Sequence, residues 1–131
     1  MKSFESKITI KHPVNQVYSF LADLNNHRQL MPDNIEDWVS SYDEASFGIK
    51  NMAKLSLKVA SRAENREIRI IPSAKPPFDL ELTWTLTGDN TQTDALFVIK
   101  ADLNMMMKML ASGPLQKLAD EETRNLAALL G

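Results

Sequence analysis

Phe78, Leu80, Leu82, Trp84 and Leu86 occupy every second position, with Asp79, Glu81, Thr83, Thr85 and Thr87 between them. Such a segment separates an apolar face from a polar face only as a β-strand, whose side chains point to opposite sides in turn. One face wants water and the other wants a cover. The pattern therefore calls for an antiparallel sheet with one wet side and a second layer on the other. Gly88-Asp89-Asn90 follows with hairpin turn chemistry. A further strand then runs from about Asp94 to Leu103, with Phe97, Ile99, Ala101 and Leu103 on its inner face. From Met105 to Leu130 the period becomes helical. A rise of about 1.5 Å per residue makes this segment ~39 Å long. A ten-residue strand spans ~33 Å, so the helix is long enough to cross the sheet and serve as its cover. Gly113-Pro114 lies inside it, and Pro114 is expected to kink or split the helix.

The rest of the chain fills in the same plan. Phe4, Ser6, Ile8 and Ile10 alternate with charged and polar residues and predict a first strand. Pro13 suits the first turn of a helix, and Val14, Val17, Tyr18 and Leu21 supply its apolar face. Asn25-Asn26 ends this helix or caps a short second one, His27 to Met31, which Pro32 breaks. Trp38, Ser40 and Tyr42 share one side of a second strand, and Gly48 marks a turn or bulge. Ala53, Leu55, Leu57 and Val59 line one face of a third strand, and Ile68 and Ile70 one face of a fourth. No linker or repeat divides the chain, so residues 1–131 are expected to form one α+β domain.

Composition excludes several function classes. With no cysteine, thiolate zinc sites, disulfides and thiol nucleophiles are ruled out. The two histidines, His12 and His27, are fifteen residues apart and match no metal-binding spacing. His27 is expected on a polar helical surface. Four scattered glycines make no phosphate cradle. A net charge of −2 argues against nucleic acid as a partner. No cofactor or metal is expected. No apolar run approaches the ~18 residues of a transmembrane span, and Met1 to Lys7 lacks the apolar run of a signal peptide, so a cytoplasmic location is expected.

The order of strand, short helices, antiparallel strands and long terminal helix resembles the START-like helix-grip superfamily, which includes polyketide cyclase-like and Bet v 1-like proteins. The likeness is carried by Ile8-Thr9-Ile10 leading through His12-Pro13 into residues 14–24, by residues 26–32, and by Gly113-Pro114-Leu115 in the terminal helix. It covers nearly the whole chain. It implies a curved antiparallel sheet wrapped around the terminal helix, and a cavity between them for a lipid, quinone or polyketide-like molecule. The superfamily shares no catalytic signature, so the resemblance transfers no catalytic residue.

Residues on the inner faces are the candidates for that cavity: Trp38, Tyr42, Leu55, Leu57, Leu82, Trp84, Phe97, Ile99, Met107, Leu110 and Glu122. Trp and Tyr add a polar handle to an apolar wall. Met105, Met106, Met107 and Met109 cluster at the start of the terminal helix, and flexible thioethers suit a deformable wall or gate. They cannot all face inward, since a helix has one inner stripe, so at least one is expected at an opening or a homodimer contact. Most of Lys50, Lys54, Lys58, Arg62, Arg66 and Arg69 are assigned to the outer, wet face, mixed with Glu64 and Glu67. Glu122 falls within the arc of Leu115, Leu118, Leu126 and Leu129. It overhangs the sheet, pairs with a base, or faces the cavity. The leading functional expectation is binding or carriage of a small apolar molecule without catalysis. The alternatives are a cyclase- or dehydratase-like enzyme using Glu122 or Tyr42 as acid or base, and an interaction module built on the methionines.

Overall fold

A computed structural model describes residues 1–131. Seven strands form one antiparallel sheet: β1 (Lys2–Ile10), β2 (Ile35–Ser40), β3 (Glu44–Ile49), β4 (Ala53–Ala63), β5 (Glu67–Pro72), β6 (Leu80–Gly88) and β7 (Thr93–Ala101), in the spatial order β1-β7-β6-β5-β4-β3-β2. Between β1 and β2 lie helix α1 (Val14–Ala22) and a 3-10 helix (Leu24–Leu30). Helix α2 (Met105–Leu130) ends the chain. Each neighbour pair but one is consecutive in the chain, joined by a turn or, between β5 and β6, by the loop of residues 73–79. The exception is β1–β7, which pairs the two ends of the sheet sequence along nine residues.

The alternation read from β6 and β7 is what the core uses. Leu80, Leu82, Trp84 and Leu86 are buried, as are Ala95, Phe97, Ile99 and Ala101. Trp84 stands directly opposite Phe97 across the β6–β7 ladder. Their rings stack with centroids 4.4 Å apart, the kind of cross-strand aromatic pair that stabilises a sheet beyond its hydrogen bonds. At Gly88 the chain approaches itself so closely that an added Cβ would lie 2.4 Å from the Gln92 carbonyl oxygen. The Asp89 carboxylate accepts from the N–H groups of Thr91 and Gln92 and closes the turn.

Three expectations need correction. The sequence reading allowed six strands, and there are seven. Gly48 is not a turn but part of β3, where Ala45, Phe47 and Ile49 are buried in alternation. Its lack of a side chain accommodates Glu36 of the neighbouring strand, whose Cγ would sit 3.3 Å from an added Cβ. Second, β2 ends at Ser40, so Tyr42 lies beyond the strand in the connection to β3 and is 51% exposed. Third, Pro114 does not split α2, which runs unbroken over 26 residues. Its missing N–H costs one intrahelical bond without ending the helix.

Helix α2 packs mainly on β1, β7 and the 3-10 helix rather than across the full sheet. Its apolar stripe is Ala111, Leu115, Leu118, Ala119 and Leu126. Polar bonds fix its second half. Thr123 shares a 2.6 Å hydroxyl–hydroxyl hydrogen bond with Ser6 of β1. The Asn125 amide donates to the Leu30 carbonyl at the end of the 3-10 helix. Leu129 was assigned to the inner arc but is 47% exposed, while Leu126, Ala127 and Leu130 around it pack on the core. No helix is long and apolar enough to cross a membrane.

Candidate functional site

The two bonds just described set the depth and rotation of Glu122, which follows Glu121 and precedes Thr123 on α2. It is 2% exposed. Opposite it is His27, which the sequence reading placed on a polar surface. The structure buries it at 4% exposure. The reason is local: the chain from Leu24 to Leu30 is a 3-10 helix, whose three-residue turn puts Leu24, His27 and Leu30 on one inward face. The imidazole Nε2 lies 2.7 Å from the Leu21 carbonyl oxygen, which holds the ring in place. Nδ1 lies 4.0 Å from a carboxyl oxygen of Glu122.

These two groups are the titratable part of the wall of a cavity of about 20 Å³. The other walls are Leu24, Met31, Trp38, Ala45, Phe47, Leu57, Ile70, Leu82, Trp84 and Phe97. Trp38 stacks on Phe47 at 5.3 Å between centroids, and its indole N–H donates to Ser40, which in turn donates to Asn25. Met31 and Trp38 are only partly buried and mark the side nearest solvent. The Trp84 indole N–H is buried and has no acceptor.

The electrostatics follow from burial in apolar walls. Desolvation pushes the Glu122 carboxyl well above its ordinary range, and nothing opposes it. Desolvation also lowers His27 to about 4, against a smaller opposing effect from its bond to Leu21. At neutral pH the imidazole is neutral. The pair is not an ion pair, and at 4.0 Å it is not a direct hydrogen bond either. No cluster of His, Asp and Glu side chains suited to a metal ion is present.

The structure brings Trp38, Leu57, Leu82, Trp84, Phe97 and Glu122 together around this space. It separates the other candidates from it. Leu55 and Ile99 are core residues that do not line the cavity. Tyr42 lies outside, its ring 4.1 Å from the guanidinium of Arg62, so it does not join Glu122 as an acid or base. Leu110 is 55% exposed. Met107 borders a different, polar cleft with Phe78, Asp102 and Leu103. It stands fifteen residues from Glu122, which along a helix is ~22 Å, so the methionine cluster is not the wall of this cavity. Met105, Met106 and Met109 face outward. Six lining residues were not among the candidates: Leu24 and His27 of the 3-10 helix with Met31 just beyond it, Ala45 and Phe47 of β3, and Ile70 of β5. Alternation of Ala45, Phe47 and Ile49 was the available signal for β3.

No family model matches the chain, and no curated protein matches it in sequence. Solved structures do match from end to end. The protein XoxI from Bacillus cereus is 9% identical and superposes with a TM-score of 0.77, covering 99% of this chain and 96% of that one. The KanY protein is 13% identical with a TM-score of 0.75, covering 98% and 97%. A START superfamily protein from Mycobacterium smegmatis is 16% identical with a TM-score of 0.64, covering 98% and 96%. With a curved antiparallel sheet, short helices after β1 and a long terminal helix, the chain has the START-like helix-grip fold.

Proposed function

We propose that this protein binds a small, largely apolar molecule carrying one polar group, in the space between the sheet, the 3-10 helix and α2. The observation that supports this most is the Glu122 carboxyl, buried beside the neutral His27 ring within otherwise apolar walls. Burying a carboxyl without a partner costs several kcal/mol on the order-of-magnitude scale for polar groups. A ligand group meeting it would offset that cost. A few polar groups in an otherwise apolar wall are how binding sites orient a mostly apolar guest. The space of about 20 Å³ accommodates a polar head and not a whole ligand. The body of the guest must therefore displace the side chains nearest solvent, and Met31, unbranched and flexible, is suited to move.

Both tryptophans of the chain line this cavity, so intrinsic fluorescence reports on it directly. Titration with a hydrophobic guest should change that emission saturably, at one molecule per chain. Competition by a second apolar guest should reverse the change. Emission that drifts linearly with added guest, with no competition, would defeat the binding reading.

A further inference from the structure

The hydrogen-bonding groups around the cavity identify the polar group it takes. The Leu21 carbonyl can only accept, so the 2.7 Å contact requires the hydrogen of His27 to sit on Nε2. Nδ1 is then a bare acceptor, and it is the ring nitrogen facing Glu122. The carboxyl oxygen is 4.0 Å away, too far for a direct bond. A single oxygen about 2.8 Å from each would bridge them with an angle of about 90° between its two bonds. Trp84 adds a buried N–H without an acceptor to the same walls.

Resting on the binding reading above, we infer that the guest's polar group is a hydroxyl, of an alcohol or a phenol, seated between Nδ1 of His27 and the Glu122 carboxyl. A hydroxyl has one hydrogen and two lone pairs. The hydrogen goes to Nδ1. One lone pair receives the carboxyl O–H, the form that burial favours for Glu122, and the other is open to the Trp84 N–H, which lines the same space without an acceptor. Other head groups leave a member of this set unmatched. A ketone or a carboxylate has no hydrogen for Nδ1, and any anion, a phosphate included, would bring an unpaired charge into apolar walls. An ammonium can only donate, which leaves the Trp84 N–H facing a cation.

The test is calorimetric titration of the intact protein with four guests that differ only in the head: 4-butylphenol, 4-butyltoluene, 4-butylbenzoate and 4-butylbenzylammonium. Wild type should bind the phenol at least about tenfold more tightly than each of the others. A site built to hydrogen-bond a hydroxyl rejects analogues lacking it strongly. Glu122→Leu, whose folding is checked by thermal melt, keeps the His27 acceptor and the Trp84 donor but loses one of the three partners, so the phenol's advantage over the toluene should fall about fivefold. Equal binding of all four by wild type would overturn the hydroxyl assignment and leave the binding reading standing. Preference for the ammonium would overturn it in favour of an ionised Glu122. A phenol preference undiminished in Glu122→Leu would overturn it too, since the hydroxyl would then be read elsewhere. Binding of none would overturn both proposals and leave the pair as the seat of an ordered water only.

Discussion

Glu122 and His27 make opposite demands on pH. A buried carboxyl whose folded-state value is raised above 4.5 weakens the fold above about that pH. The weakening grows until the folded-state group itself ionises, and it disappears below about 4.5. The His27 ring is held at about 4 in the folded chain against 6.5 in the unfolded one. Its contribution to stability is complete above about 6.5 and is lost as pH falls towards about 4, by an amount on the order of 3 kcal/mol. In the wild type the two effects partly cancel in mild acid. Glu122→Leu should stabilise the protein at pH 7 by roughly 1 kcal/mol or more, because it removes a desolvated polar group and extends the Leu118–Leu126 stripe. The gain should shrink as pH falls towards 4.5, and the mutant should lose stability between about pH 6.5 and 4 more steeply than wild type. Denaturant melts at pH 7, 6 and 5 measure this. A mutant less stable than wild type at pH 7 would instead mean that the two residues form a charged pair, since removing one partner leaves an uncompensated buried charge.

At the scale of the element, α2 illustrates how a helix can be specified at its start while only the turns that follow are packed. Met105, Met106, Met109 and Leu110 are exposed, so tertiary packing holds little of the first turns. The Asn104 side chain accepts from the Met107 N–H at 2.8 Å and satisfies one of the free donors at this end. Asn104→Ala should therefore cost about 1 kcal/mol. Hydrogen exchange should rise at the amides from Met105 to Met109 and stay unchanged around Glu122. A rise that reaches Glu122 would mean that the helix opens as one unit, against the anchoring of its second half by Thr123 and Asn125.

Across the whole molecule, Arg62 joins three elements. It was read as part of a solvated face, but its guanidinium donates twice to the carbonyl of Ala22, the last residue of α1, and once to the Tyr42 carbonyl. A cation at the carbonyl end of a helix meets its unpaired acceptors and its dipole. The same group stacks on the Tyr42 ring and bonds to Asp43 at 2.7 Å. Asp43 is 66% exposed along its side chain, so that ion pair adds little. The bonds to carbonyls carry the interaction. Arg62→Met should destabilise the fold by roughly 2–3 kcal/mol, whereas Asp43→Asn should change it by less than about 1 kcal/mol. Comparable losses in the two melts would show that the ion pair matters more than the helix end. Because α1 and the 3-10 helix are consecutive, loosening Ala22 should also loosen His27, and Arg62→Met should weaken guest binding.

The one-sided strands and the final helix were legible in the sequence because their signal is local. Alternation in Phe78–Leu86 and Phe97–Ala101, and the period change at Met105, each follow from the geometry of a single element. That Glu122 faces inward could be read from its arc, but not what it meets. His27 was not legible. Its direction depends on a 3-10 turn rather than an α-helical one, a choice made by the packing of Leu24 and Leu30 and by the bonds from Asn125 and Arg62, which come from residues far along the chain. Likewise Gly48 is a turn signal in isolation and becomes a strand residue only once Glu36 and Lys54 lie beside it. The sequence by itself determined which faces are apolar, since that is a property of spacing. The pairing of His27 with Glu122 was decided only in three dimensions, because two residues 95 positions apart in sequence meet through the anchoring of two helices by long-range hydrogen bonds.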